Sequence, residues 1–314
     1  MNYFNKGIIF MTIATSSTRN TAIIPYLALL TGILALSLSA MFVRWADAPG
    51  PVTGFYRMFL STLILTPFFL LRCIRSRTVN KANIIYPILG GIFTSCDLAL
   101  WNSSLAYTTA ANATLLGNTA PLWVAIGAWF IFHERLPKDF WLGLILALVG
   151  AALIMGGDFL THPRLGIGDL MASGTGVFYA LYFLSTQRGR QHLDPLSYIW
   201  LVGISGSLGL LVINLIMGNP LTGYSGQTWL AFFGTALVSQ IIGYISVSYA
   251  LGHLPASIVA PTMVGQPITT TILAIPLLKE VPNLVQMMGG FIALMGIYLV
   301  NQSHYRGKKD IHAP

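Results

Sequence analysis

Two stretches of the chain read alike: PLWVAIGAWFIFHERLPKDFWLGLILALVG from Pro121 to Gly150, and PITTTILAIPLLKEVPNLVQMMGGFIALMG from Pro267 to Gly296. At a constant offset of 146 positions, with no gap, Pro121 falls on Pro267 and Glu134 on Glu280. Gly143 then falls on Gly289, Ala147 on Ala293 and Gly150 on Gly296. Glycine and alanine matches arise easily in an apolar chain; a proline followed thirteen residues later by a glutamate, in both copies, does not. Upstream, at an offset of 144, Gly32 falls on Gly176, Arg44 on Arg188 and Pro51 on Pro195. The chain is therefore internally duplicated.

What is duplicated follows from composition. Of 314 residues, 55% are hydrophobic and 8% charged, and the mean hydropathy is +0.71. A soluble domain carries about 25% charged residues to cover its surface. Here nearly charge-free runs recur at close to the ~20 residues that cross a bilayer. Turn and charge punctuation divides them into ten helices near 22–44, 52–72, 83–105, 110–132, 139–157, 166–187, 195–216, 227–250, 255–278 and 284–302. The expected architecture is an all-α membrane protein of ten transmembrane helices arranged as two inverted five-helix repeats. Its parts are a cytoplasmic N-terminal tail (1–21), a first repeat (22–157), a linker (158–165), a second repeat (166–302) and a basic cytoplasmic tail (303–314). Gly7 to Ala14 loosely resembles a signal-peptide core, but no cleavage site follows, so an uncleaved tail is expected, with Met11 as an alternative start.

Charge sets the orientation. With the N-terminus cytoplasmic, thirteen of the seventeen Lys and Arg residues fall inside: Lys6, Arg19, Arg72, Arg75, Arg77, Lys81, Arg135, Lys138, Arg188, Arg190, Arg306, Lys308 and Lys309. Only Arg44, Arg164 and Lys279 fall outside, and Arg57 lies within a helix. This asymmetry puts both termini in the cytoplasm, in a cell inner membrane if the source is bacterial. Basic residues so dispersed explain the net charge of +8 without nucleic acid. The two cysteines, Cys73 and Cys96, make no disulfide framework. Five spans per repeat, an odd number, invert the second copy, and inverted repeats are a device for alternating access.

Several residues carry candidate chemistry. Asp97 is the one carboxylate well inside a span, and Arg57 enters the neighbouring helix to a similar depth, roughly 9–12 Å. Asp97 is read either as the structural partner of Arg57 or as a group that couples protons or meets a substrate amine. Thr94, Asp97, Trp101 and Ser104 share one face of the third helix by spacing. Matching positions on the eighth offer Gln240 and Gly243, with Tyr244 alongside, and the sixth adds Tyr179 and Tyr182. These polar and aromatic groups either converge on a small-molecule cavity or serve helix packing. Pro121 and Pro267 should free the carbonyls of Gly117 and Met263, near Asn118 and Gln266. Those breaks either bind substrate or only kink the helices. Glu134 and Glu280, beside His133–Arg135 and Lys279, read as interfacial ion-pair or gating residues.

The set Phe55-Tyr56-Arg57, Ala106-Tyr107-Thr108-Thr109-Ala110-Ala111-Asn112-Ala113 and the two Pro…Glu…Gly…Gly runs resembles the EamA-type family of the drug/metabolite transporter superfamily. The resemblance covers residues 22 to 302 and implies a ten-helix transporter whose cavity is lined by helices one, three, four, six, eight and nine. It implies export of amino acids or related amphipathic metabolites, with uptake of a nutrient or cofactor precursor as the alternative. A sensory or structural membrane protein ranks lower. The intramembrane lysines of phosphate-recognising relatives are missing. With no HExxH, no paired intramembrane aspartates and no Walker-type loop, the sequence reads as no enzyme and calls for no cofactor or metal. The expected partners are a small-molecule substrate, the lipid bilayer and, as a candidate coupling ion, the proton; oligomeric state is not legible.

Overall fold

The computed structural model describes residues 6–75, 83–104, 107–108, 116–155, 166–278 and 282–311. Every regular element among them is helical. The first half holds α1 (Lys6–Trp45), α2 (Gly50–Arg75), α3 (Ile85–Ser104), α4 (Ala120–Phe132) and α5 (Lys138–Met155). The second holds α6 (Ile167–Gly189), α7 (Pro195–Met217), α8 (Gly226–Leu251), a ninth span α9 in two pieces (Ala256–Thr262 and Gly265–Leu278) and α10 (Leu284–Ile311). The expected linker at 158–165 lies outside the described residues.

Six of these helices are long and apolar enough to cross a membrane. Ile216 is 80% exposed and Leu230 74%, surfaces that lipid tails accept and water would not. The first helix departs from the expected boundary. It begins at Lys6 rather than near residue 22, because the polar run Thr15–Asn20 contains neither glycine nor proline to stop it. Forty residues make about 60 Å of helix, twice the hydrocarbon thickness, and the apolar crossing segment is Ile23–Val43.

The two halves are related by contact as well as by sequence. α1 packs on α8 and α6 on α3; α1 packs on α9 and α6 on α4; α2 meets its own equivalent, α7. The most extensive contact joins α5 to α10, the fifth helix of each repeat. A β-carbon on Gly143 would lie 2.8 Å from the Gly296 carbonyl oxygen, and one on Gly289 the same distance from that of Gly150. On Gly150 and Gly296 it would strike the backbone nitrogens of Ala293 and Ala147. Gly143 thus faces Gly296 while Gly150 faces Gly289, so the equivalent helices run antiparallel and the second repeat is inverted.

Helices four and nine are interrupted at matching places. Leu116–Gly117 is helical, Asn118–Thr119 turns, and α4 starts at Ala120; in α9 the turn is Met263–Val264. At the offset of 146, Met263 and Val264 are the equivalents of Gly117 and Asn118. Pro121 and Pro267 therefore sit in the first turn of a restarting helix, where a missing N–H costs nothing, rather than kinking a continuous one. The Met263 carbonyl, expected to be free, accepts the Gln266 N–H at 2.9 Å, a tighter turn that re-pairs it.

The crossing yields a sharp contrast within one helix. Gly289→Ala should lower the thermal midpoint in detergent, at a cost of about 1–3 kcal/mol, because backbone of α5 blocks the new methyl. Gly290→Ala, whose β-carbon would meet only Ile268 at 4.0 Å, should leave stability unchanged or raise it by up to about 1 kcal/mol.

Candidate substrate cavity

A cavity of about 440 Å³ lies between the halves, toward the end of the bundle where α3 and α5 finish. Of the residues singled out from sequence, Asp97 and Trp101 (α3), Asn118, Tyr179 (α6), Tyr244 (α8), Gln266 and Pro267 (α9) line it, and Arg57 (α2) joins them. Pro121 lines a small annex of about 20 Å³ shared with Asn118, Tyr179 and Gln266.

Arg57 and Asp97 both face this space, yet no ion pair joins them. The Arg57 guanidinium carbon stands 5.6 Å from the centre of the Tyr244 ring, a cation–π arrangement. Its Nε and one terminal nitrogen are buried without a hydrogen-bond partner. Among the described residues the α2 cation that does form an ion pair is Arg72, with Asp194 at 3.1 Å. Instead of the expected structural ion pair, a guanidinium and a carboxyl group line one cavity without direct contact. Gln266 is tethered to α1: its main-chain carbonyl accepts from the Ser37 hydroxyl at 3.1 Å, and its side-chain amide nitrogen donates to the Leu36 carbonyl at 3.4 Å.

Three expected lining residues lie elsewhere. Thr94 is buried and its hydroxyl donates back to the Gly90 carbonyl at 2.8 Å, the local bond that short polar side chains form in helices. Tyr182 is 1% exposed, stacks behind Tyr179 and meets Tyr244 edge to face, one layer below the cavity. Gln240 is fully buried because Thr235–Gly243 winds as a π-helix. Wider turns there rotate residues away from the face that α-helical spacing assigned them. Residues that sequence reading missed include Ser39, Thr175, Thr270 and Thr271. The run Thr269-Thr270-Thr271, three hydroxyls in an apolar helix, was the available signal.

The other end of the bundle is closed. Phe183, Tyr198 and Leu251 are almost fully buried beneath the cavity. A polar contact ties the halves together there. His133 ends α4 in the left-handed conformation (φ 53°), and the Glu134 N–H bonds the Ala128 carbonyl. The Glu134 carboxylate then accepts from the Ser257 hydroxyl and from the Gln187 amide at 3.5 Å, while the Gln187 carbonyl accepts the Ala256 N–H. Glu280, its counterpart in the repeat, lies outside the described residues.

A bundle of membrane-crossing helices, duplicated and inverted about a central cavity, defines a membrane transporter. The family model of the EamA-like transporter family matches residues 23–156 and 166–302, and the chain belongs to that family. An uncharacterized transporter of Archaeoglobus fulgidus (strain ATCC 49558 / DSM 4304 / JCM 9628 / NBRC 100126 / VC-16) is 28% identical over 211 residues, 65% of this chain and 71% of that protein. The uncharacterized transporter YyaM of Bacillus subtilis (strain 168) is 26% identical over 229 residues, 71% of this chain and 75% of that one. One solved crystal structure superposes with a TM-score of 0.73 at 17% identity, covering 88% of this chain and 97% of that chain, a likeness of fold alone. The chain is thus a multi-pass membrane transporter of small molecules, not an enzyme.

Proposed function

We propose that the chain exports amino acids or similarly amphipathic metabolites by alternating access. The observation that carries this reading is the pair of opposite charges, Arg57 and Asp97, set on one cavity without an ion pair between them. A charge stranded at membrane depth costs about 2.5–3.5 kcal/mol or more. An occupant bearing both an ammonium and a carboxylate offsets that cost at both residues together. Trp101, Tyr179 and Tyr244 supply an apolar wall for the remainder of such a molecule, and 440 Å³ falls within the ~300–1,000 Å³ of small-molecule sites. On the charge asymmetry both termini lie in the cytoplasm, and for a bacterial source the membrane is the inner one. On that topology the closed, Glu134-latched end is cytoplasmic. Asp97 is the group placed to exchange a proton.

The reading is tested with proteoliposomes offered a mixed metabolite pool, with and without a pH gradient, and analysed by mass spectrometry. Selective accumulation of zwitterions supports it; accumulation confined to anions or to uncharged compounds sinks it. In the same assay Asp97→Asn should abolish pH-driven transport while preserving substrate exchange. Intact pH-driven transport by the folded variant removes the proton role from Asp97.

The latch makes a separate prediction. Ser257→Ala removes a hydrogen bond to a carboxylate, an interaction of about 1.5–3 kcal/mol, and should shift the population toward opening at that end. In a background lacking Cys73 and Cys96, a cysteine replacing the buried Leu251 should then react with a water-soluble maleimide about tenfold faster. An unchanged rate would show that the contact does not hold that end shut.

A further inference from the structure

A second cavity, about 780 Å³, opens at the latched end between the α4–α5 turn, the start of α9 and the last turns of α10. It shares no lining residue with the central cavity. One side carries a cation: Arg135 is exposed on the rim, with the His133 imidazole exposed beside it as a hydrogen-bonding group. The other is apolar: Leu136, Phe140 and Ile258 form a floor continuous with the buried Leu144 and Val300. Glu134 also touches the cavity, but its carboxylate is engaged by Ser257 and Gln187. The left-handed turn at His133 is uncommon for a residue with a β-carbon. It sends Glu134 across to the second half and leaves its two neighbours facing outward.

We propose that this cavity holds the phosphate headgroup of an anionic phospholipid from the adjoining leaflet. The phosphate would sit against His133 and Arg135, with the first carbons of an acyl chain on Leu136, Phe140 and Ile258. A pocket at the level of helix ends, basic on one wall and apolar on the other, matches an amphiphile that reaches it from the membrane plane. Basic pockets between helices at such an interface are recognised headgroup sites. A soluble phosphate would satisfy Arg135 but leave the floor wet. The occupant would touch α4 and α5 of the first half and α9 and α10 of the second, so it would bridge the same two bodies as the Glu134 latch.

The test uses the full chain purified in detergent and native mass spectrometry, titrating phosphatidylglycerol and phosphatidylcholine of identical acyl chains. Phosphatidylglycerol should be retained preferentially. Arg135→Ala should weaken its retention about fivefold, the effect of one interfacial cation, and Arg135→Lys should restore most of it. Should Arg135→Ala fold poorly, Arg135→Gln keeps the bulk of the side chain and should show the same loss. Arg188→Ala, an exposed cation at the same end but outside the cavity, should change nothing, and free glycerol phosphate should not bind. Three outcomes would overturn the proposal: equal retention of both lipids, an equal loss from Arg188→Ala, or glycerol phosphate binding as tightly as the lipid. The last would assign the cavity to a soluble anion instead. None of them bears on the transport reading, whose assay follows the central cavity.

Discussion

The contact between α5 and α10 is the constraint from which the architecture follows. In lipid no hydrophobic gain distinguishes a helix from its surroundings, so association rests on close packing and on small residues that admit it. Here the closeness is self-complementary. Gly143, Ala147 and Gly150 meet Gly296, Ala293 and Gly289, and the two sets are the same motif read in opposite directions. A duplicated sequence can pair with itself in this way only if the copies lie antiparallel. Five crossings per repeat provide that inversion. The remaining contacts, α1 on α8 with α6 on α3, and α1 on α9 with α6 on α4, then repeat the same relation around the central space.

Symmetry stops at the cavity's charge. Arg57 and Asp97 both belong to the first half; their positional equivalents in the second are Leu201 and Gly243. The scaffold can exchange its halves between two conformations, but the charged groups need not be duplicated, because one set reaches a central cavity from either side. Duplicating them would double the penalty of holding charge at membrane depth without adding a second substrate. The second half contributes aromatic and hydroxyl surface instead, through Tyr179, Tyr244, Thr270 and Thr271.

The fold was legible in the sequence to a large extent, because membrane helices announce themselves by length and hydropathy and the offset of 146 exposes the duplication. The cavity was legible in part. Asp97, Trp101, Asn118, Tyr179, Tyr244 and Gln266 do converge, since polar and aromatic side chains in apolar helices have few other places to turn. Two of the errors share one physical origin, the departure of the backbone from regular α-helix: the placement of Gln240 and the reading of Pro121 and Pro267 as kinks. Gln240 was placed by 3.6-residue spacing on a segment that winds as a π-helix. At Asn118–Thr119 and Met263–Val264 the prolines just downstream marked an irregularity, but not that each helix stops and restarts there. Thr94 failed for a different reason: a hydroxyl in a helix can bond its own backbone and need not face a cavity at all.

The two interruptions also connect the scaffold to the site. Backbone that leaves the helix at membrane depth is tolerated where it is buried in protein or lines a cavity, and both breaks meet that condition. Gly117 and Asn118 at the first, and Gln266 and Pro267 just after the second, are walls of the same space. Each restarting helix is begun by a proline within its first turn, a residue that does not need the N–H bond the break removes. The interruptions of α4 and α9 thus lie on the wall of one cavity. A molecule held there would contact both interruptions, one in each half.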